Sequence, residues 1–195
     1  MIPIAPVSIN VPDVPFYSQF ADITIQEWQK KGCGVASLAM VINYYKPGTV
    51  SVNTLLTQGI ASGAYDQNAG WVHKGLVQLT KKYGLDGATY DLSKSSNSNA
   101  FTQFKKLLAD GPIIVSVHYK FDPKSTIPHL VVIDGIDNDT VYYNDPSSNA
   151  GEKQISVANF QKSWKKRFIV IKPIKKIDFA SAQKTTGSQK STLES

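Results

Sequence analysis

The periodicity of apolar residues changes along this chain of 195 residues, from helical in the first half to extended in the second. The first helix is predicted to begin at about residue 34 and to end before Pro47. Further helices are predicted from Ser51 through Leu56, over residues 71–83, and from a cap at Ser98 or Asn99. The apolar face of the first helix consists of Val35, Leu38, Ile42 and Tyr45.

Extended segments dominate after residue 110. Each of them is rich in β-branched or aromatic residues and is bounded by glycine, proline or a cluster of aspartate and asparagine. Helices that precede strands favour an α+β fold over an alternating parallel α/β sheet. The predicted strands cover residues 111–119, 129–136, 140–145 and 168–172.

The chain divides into one compact domain and two flanking segments. Residues 1–12 contain three prolines and no apolar period, which predicts an irregular lead-in. Residues 176–195 are rich in Ser, Thr, Lys and Gln and bury too little apolar surface to offset the entropy of ordering, which predicts a disordered tail or linker. The domain is therefore predicted over residues 13–175. No signal peptide is expected in residues 1–12, and the compartment stays open.

Charge and composition exclude several classes of protein. No stretch approaches the roughly 18 uncharged apolar residues of a membrane span. The single cysteine excludes an internal disulfide and an all-cysteine zinc site. The net charge of +6 is concentrated in residues 162–176, which hold seven Lys and Arg and no acidic residue. A short basic run is typical of a solvated edge, so nucleic-acid binding is not expected. A monomer is favoured.

Cys33 is the strongest candidate for a reactive group. It lies at the start of the best predicted helix, where free backbone N–H groups and the helix dipole favour the nucleophilic thiolate form. Gly32 and Gly34 leave the sulfur uncrowded, as an approaching substrate carbonyl requires. The alternative is a small, buried core residue, since free cysteine is often buried.

His129 is the candidate base among three histidines. It opens an apolar strand after a polar loop, whereas His73 falls inside a predicted helix and His118 ends a strand. Antiparallel pairing about a turn near Asn138 brings His129 beside residues 145–147, where Asp145 could orient the imidazole. The alternative is an ordinary hairpin that ends in an Asp-Pro turn.

An oxyanion hole needs a donor besides the backbone N–H of the nucleophile. Gln19, Gln26 and Gln29 are the candidates upstream of Cys33, and Gln19 is favoured because it closes the segment DVPFYSQF. The polar stretch that contains the other two could be an inserted loop.

Two further sites are conceivable. Trp71 follows Asn68, Ala69 and Gly70 and could line a substrate groove, although core packing is the more common role of such a tryptophan. A calcium site in the predicted hairpin is disfavoured because the spacing lacks the glycine and terminal glutamate of an EF-hand loop. We therefore expect no metal and no cofactor. The acidic residues concerned are Asp134, Asp137, Asp139 and Asp145.

Four segments in order give the chain a family resemblance: VPFYSQ, GCGVASLAMVINYY, GPIIVSVHY and HLVVIDGIDNDTVYYNDP. Together they resemble the bacteriocin-processing, double-glycine-leader family of cysteine peptidases, and most closely its stand-alone branch. The resemblance covers roughly residues 13–172. It implies a papain-like fold, in which a helical half carries the cysteine and an antiparallel sheet carries the histidine and aspartate.

By this resemblance Cys33 is the nucleophile, His129 the base, Asp145 the orienting residue and Gln19 the oxyanion donor. Gly32 and Trp71 are expected near the substrate from their places in the sequence alone. One departure is that papain-like enzymes commonly have this glutamine six residues before the cysteine, where this chain has Glu27. The expected activity is hydrolysis of a peptide or protein through an acyl-enzyme. A cell-wall amidase or transpeptidase and a low-turnover binding module remain alternatives.

Overall fold

A computed structural model describes residues 8–10 and 14–174 of the chain. Ser8–Asn10 form a short strand within the stretch for which the sequence predicts an irregular lead-in, because they find a partner strand in the sheet. The remainder of that lead-in through residue 7, residues 11–13 and the predicted tail lie outside the described residues. No helix within the described part is long and apolar enough to cross a membrane.

The α-helices of the described ranges lie mainly in the first two thirds of the chain. Two helix boundaries differ from the expected ones. Ser96, and not Ser98 or Asn99, caps the helix Asn97–Leu108, and Trp71 lies in a short strand that precedes the helix His73–Thr80. The helices are α1 (Gln26–Gln29), α2 (Cys33–Tyr45), α3 (Val52–Ala61), α4 (His73–Thr80), α5 (Asn97–Leu108) and α6 (Val157–Ser163).

Helix α2 is the central helix of the molecule. All ten residues from Gly34 to Asn43 are buried, so the helix has no solvent-facing stripe. A helix that is apolar on every side is stable only where other elements surround it. Its first residue, Cys33, is partly exposed, which leaves the N-terminus of the helix at the surface of the core.

The strands form a twisted antiparallel sheet and a separate two-stranded ribbon. The sheet has the order β4-β9-β5-β6-β7-β8, and β1 pairs with the distal end of β6. The ribbon consists of β2 and β3. The strands are β1 (Ser8–Asn10), β2 (Tyr65–Asp66), β3 (Gly70–Trp71), β4 (Leu85–Asp91), β5 (Ile113–His118), β6 (Pro128–Asp137), β7 (Thr140–Asn144), β8 (Lys153–Ser156) and β9 (Trp164–Pro173).

Two hydrophobic cores cover the two faces of the sheet. Ile169 and Ile171 of β9 join the core under α2, α3 and α4, whereas Phe168 and Val170 join the core under α5 and α6. This alternation follows from the two-residue period of a strand. Burial on both faces explains why β5, β6 and β9 each contain an uninterrupted apolar run.

Strands β4 and β8 and helix α6 were not predicted from the sequence. β4 has only a weak alternation of apolar and polar residues and contains Gly87, whose backbone N–H donates to the side chain of the preceding Asp86. β8 is a short polar strand at the edge of the sheet. Neither has the β-branched run that marks a strand in isolation. They become strands because β9 and β7 supply hydrogen-bonding partners.

Candidate active site

Cys33 is positioned by the aromatic residue that packs against the start of α2. The indole Nε1–H of Trp71 donates a 2.6 Å hydrogen bond to the carbonyl of Lys31, two residues before the cysteine. A Cβ on Gly34 would lie only 2.4 Å from the Trp71 ring, so a glycine is needed there for the ring to pack so closely. Trp71 therefore fixes the backbone on both sides of Cys33.

His129 and Asp145 come together through the hairpin of β6 and β7. The strands pair from Asp137 with Thr140 back to Val132 with Asn144, with a bulge near Asp134. This register leaves Asp145 just beyond the end of β7, where its Oδ1 accepts a 2.6 Å hydrogen bond from His129 Nε2. The contact occurs where the hairpin reading of the sequence expected it.

The Asp145 carboxylate is held by the residues that follow it. Oδ1 also accepts hydrogen bonds of 2.8 Å from the backbone N–H and from the hydroxyl of Ser147. Tyr119 packs edge-on against the imidazole of His129, with ring centroids 5.2 Å apart. These contacts fix both the ring orientation of His129 and the tautomer that carries a proton on Nε2, which leaves Nδ1 for Cys33.

The ionisation of the pair follows from its surroundings. Burial alone lowers the pKa of His129, but hydrogen bonds with Asp145 and Cys33, together with their charges, outweigh it and raise that pKa to about 9. Burial alone raises the pKa of Asp145, but its hydrogen bonds with His129 and Ser147 and the charge of His129 lower that pKa overall. At neutral pH the arrangement therefore favours an imidazolium beside a carboxylate.

Gln19 lies next to the residue that precedes Cys33. It is only 4% exposed, and its Cβ lies 3.4 Å from the place where a Cβ on Gly32 would be. One amide N–H donates to the carbonyl of Gln29 at 2.7 Å, and Oε1 is buried with no hydrogen-bond partner among the described residues. The second N–H of this amide is available for a ligand.

The alternative glutamines have other surroundings. Gln29 Nε2 donates to the carbonyls of Phe20 and Ile23, at 3.1 and 3.0 Å, so both of its amide protons hold the backbone together. Gln26 is exposed at the start of α1. The segment between Gln19 and Cys33 is not a loose loop, because Trp28 packs edge-on against Tyr65 with ring centroids 4.9 Å apart.

Gly32 and Trp71, the two expected substrate-contacting residues, are both packed. Gly32 is buried against Ile23 and does not line the cavity described below. Trp71 is 7% exposed and forms part of the cavity wall, but most of its ring packs against Gly34 and Gly59. Its core role, the alternative considered from the sequence, accounts for most of its contacts.

A cavity of about 580 Å³ opens beside Cys33 and His129. Its volume is within the range of small-molecule and peptide sites. The cavity extends from the catalytic candidates across β5 and β9 to β4, where Thr89, Tyr90 and Asp91 line it. The start of α4 and the segment around Ile127 form further parts of its wall.

The basic run near the end of the chain is not simply a solvated edge. Lys165 and Arg167, on β9, line the cavity, and the sequence analysis missed them. Both are odd-numbered residues on the strand face that continues into Ile169, and this alternation is the signal that could have identified them. By contrast, Lys166 donates to the carbonyl of Ser95 and does not line the cavity.

The other two histidines have separate surroundings. His73 lines the cavity, and its Nε2 lies 2.9 Å from the hydroxyl of Ser116. Burial, followed by the charge of Arg167, lowers the pKa of His73, so it is neutral at neutral pH. His118 donates from Nδ1 to the carbonyl of Ser125 at 2.7 Å. Within residues 8–10 and 14–174, neither of these two rings donates a hydrogen bond to a carboxylate.

The acidic residues of the hairpin do not form a metal site. Within the described ranges, no three His, Cys, Asp or Glu side chains are arranged to hold a metal ion. Asp134 instead accepts a 2.6 Å hydrogen bond from Asn144, and Asp145 faces His129.

Comparison with known proteins places this chain in a family. The sequence model of the Peptidase C39-like family matches residues 11–168. The uncharacterized protein YvpB of Bacillus subtilis (strain 168) is 30% identical, over 69% of this chain and 65% of YvpB, so the chain covers less than two thirds of that relative.

Two solved structures share the fold. One is a double glycine motif protease from an AMS/PCAT transporter in complex with the leader peptide, with a TM-score of 0.59 and 24% identity over 87% of this chain and 98% of that one. The other is described as a C39-like peptidase from Bacillus anthracis, with a TM-score of 0.60 and 20% identity over 87% and 100% of the two chains.

A mixed fold with a cysteine at the N-terminus of a central helix and a histidine on a facing antiparallel sheet defines the papain-like class of peptidase folds. The chain belongs to the Peptidase C39-like family. The papain-like α+β fold expected from the resemblance is confirmed, and family and fold support a peptidase.

Proposed function

We propose that this protein is a cysteine peptidase in which Cys33, His129 and Asp145 hydrolyse a peptide bond through an acyl-enzyme. The observation that carries the proposal is the 2.6 Å hydrogen bond between buried His129 and buried Asp145, at the cavity that Cys33 also lines. A structural ion pair has no need of a neighbouring thiol at a helix N-terminus. The nucleophile, base and orienting group are the parts that acyl transfer requires.

The proposed reaction begins with attack of the Cys33 sulfur on the substrate carbonyl. In this mechanism the nucleophile is the thiolate, and the imidazolium of His129 pairs with it. His129 then donates its Nδ1 proton to the leaving amine, and the acyl group remains on sulfur. A water molecule then attacks the thioester carbonyl while His129 takes one of its protons. The C–S bond breaks, the acid leaves, and the Cys33 thiolate and the His129 imidazolium are restored.

The oxyanion of the tetrahedral intermediate would be stabilised by two donors. One is the backbone N–H of Cys33, which is free because the first N–H groups of a helix lack intrahelical partners. The other is the second amide N–H of Gln19, beside Gly32. A backbone hydrogen bond supports this geometry, since the N–H of Gln19 donates at 2.8 Å to the carbonyl of Pro146, next to Asp145.

Alkylation of the native protein tests the proposal directly. Cys33 is the only cysteine of the chain, so mass spectrometry assigns any iodoacetamide adduct without ambiguity. We expect fast labelling of the folded protein and slower labelling of His129→Ala. Labelling that occurs only after unfolding would identify Cys33 as a structural thiol and end the enzyme proposal.

Product analysis tests the bond that is cleaved. The protein and its Cys33→Ala variant are incubated with a peptide library that includes Gly-Gly sequences, because one structural relative is a double glycine motif protease. Peptide fragments formed only by the unmodified protein support hydrolysis. Joined peptides would indicate a transpeptidase, and the same products with Cys33→Ala would exclude the proposed mechanism.

A further inference from the structure

Two cationic side chains of β9, Lys165 and Arg167, line the same cavity as Cys33 and His129. His129 of β6 pairs with Val117 of β5, and Val117 pairs with Trp164 of β9, so these residues form one row. Lys165 is the next residue on β9, and Arg167 follows two positions later. Two inter-strand steps place the backbone of Lys165 about 10 Å from that of His129. Arg167 lies farther along β9, past an irregularity in the pairing of β5 with β9.

The charge of this cavity is strongly unbalanced. Its lining includes Lys30, Lys31, Lys74, Lys165 and Arg167, against one carboxylate, Asp91. Asp91 accepts a 3.0 Å hydrogen bond from Arg167 Nε, and no hydrogen bond from the Arg167 terminal amino groups is present within residues 14–174. Lys165 makes no ion pair with a carboxylate in the same part of the chain.

Lys165 and Arg167 bring two positive charges to one end of the cavity wall. Burial, together with the charge of Arg167, lowers the pKa of the Lys165 ammonium. Two cations held close together at a partly buried site raise each other's electrostatic energy, and a bound anion relieves it. The planar Arg167 guanidinium, whose terminal groups make no hydrogen bond within the described residues, matches the geometry of a carboxylate.

We propose that Lys165 and Arg167 form a subsite for a carboxylate of the peptide substrate. The site rests on the proposed peptidase function, because the substrate carbonyl is taken to lie at Cys33. An extended peptide covers about 10 Å with three residues, so a peptide bound at Cys33 can bring a carboxylate a few residues from the scissile bond to this end of the cavity. The group is either an acidic side chain at that position or the C-terminal carboxylate of a short peptide.

Binding to a variant that cannot cleave the peptide separates the subsite from the activity. The probes are fluorescein-labelled ten-residue peptides of Gly, Ala and Ser with a central Gly-Gly, in which one Glu or one Gln occupies each position in turn. Each peptide is made as the free acid and as the amide. Affinity for Cys33→Ala is measured by fluorescence anisotropy at 50 and 300 mM salt.

The subsite predicts a preference for one kind of carboxylate. Either Glu at one position binds about ten-fold more tightly than Gln, or the free acid binds about ten-fold more tightly than the amide, and this result tells the two sources apart. The preference is expected to weaken at high salt. Equal affinity for charged and neutral peptides throughout the series would overturn the subsite.

Variants of β9 test whether these two residues supply the preference. Lys165→Gln and Arg167→Gln are each expected to reduce it, and Lys165→Glu is expected to favour a peptide with Lys at the same position. Lys162→Gln removes the same charge from an exposed position outside the cavity and is expected to keep the preference. If the double variant Lys165→Gln/Arg167→Gln still prefers the peptide that carries the carboxylate, these two residues do not form the subsite.

The subsite and the peptidase function fail in different ways. An acid preference in binding without any cleavage by the unmodified protein would keep the subsite and reject the peptidase. Cleavage of acidic and neutral peptides at equal kcat/KM, with equal binding, would keep the peptidase and reject the subsite.

Discussion

The hydroxyl of Ser37 donates a 3.2 Å hydrogen bond to the carbonyl of Leu130. Ser37 lies one helical turn after Cys33, and Leu130 follows His129, so this buried contact joins the helix of the nucleophile to the strand of the base. The link explains how two elements that are distant in sequence keep a common geometry at the site.

Ser37→Ala is expected to reduce kcat about ten-fold while KM changes little, because the cysteine and the histidine lose a connection rather than a substrate contact. The free energy of unfolding should fall by about 1 kcal/mol, as for a typical buried hydrogen bond. The control is Thr80→Val, which removes a buried hydroxyl bonded to the carbonyls of Val77 and Leu85, outside the cavity. An equal loss of kcat in both variants would mean that Ser37 acts only through general stability.

His129→Ala is expected to abolish turnover, whereas His118→Ala keeps most of it. Both histidines hydrogen-bond to a partner, but only His129 contacts a carboxylate and lines the cavity. Turnover is measured on any peptide cleaved in the library experiment. An inactive His118→Ala variant that is folded by circular dichroism would exclude His129 as the only base.

Asp145→Asn is expected to leave the fold intact and to lower kcat by about four orders of magnitude. An amide cannot stabilise the imidazolium and can hold the wrong tautomer, as in analogous triads. Ser147→Ala is the graded comparison, since it removes only one of the hydrogen bonds to the same oxygen. A nearly unchanged kcat in Asp145→Asn would reduce Asp145 to a residue that ends a strand.

The activity is expected to decline as the pH rises through about 9, where His129 loses its proton. Because the folded protein holds this proton more tightly than the unfolded chain, the corresponding contribution to the free energy of unfolding is complete below pH 6.5, the ordinary pKa of the group, and is lost as the pH rises through about 9. In Asp145→Asn the decline in activity should occur at lower pH. A decline at the same pH in both proteins would mean that a group other than His129 causes it.

Gln19→Ala is expected to lower kcat by about 10²- to 10³-fold, less than Asp145→Asn, because the backbone N–H of Cys33 still contacts the oxyanion. Gln26→Ala changes an exposed side chain of the same segment and should leave kcat unchanged. Gln29→Ala should lower the melting temperature, because Gln29 bonds two backbone carbonyls. A severe loss of kcat in Gln29→Ala without a change in melting temperature would move the oxyanion donor there.

The main elements were predictable from local pattern. The apolar period of α2, the proline that follows it, and the hairpin turn near Asn138 are encoded within a few residues of each other. The hairpin also made the contact between His129 and Asp145 predictable, because antiparallel register follows from turn position. Their catalytic role, like that of Cys33 and Gln19, stays a prediction until it is measured.

Other features depend on partners that are distant in the chain. β4 and β8 are strands because β9 and β7 pair with them, and their own residues carry little strand preference. The orientation of the Gln19 amide depends on the carbonyl of Gln29, ten residues later, which accepts one of its N–H groups. Trp71 packs against Gly34 and Gly59, which no spacing in the sequence relates to it.

The sequence by itself determined the longer helices, the most apolar strands, the candidate nucleophile, and the histidine and aspartate of one hairpin, because periodicity, capping and turn position act over short distances. Only the tertiary structure decided that the basic residues Lys165 and Arg167 face the cavity of Cys33. Their place follows from β9 lying between β4 and β5, because β9 pairs with strands that are distant from it in the chain and that no local pattern relates to it.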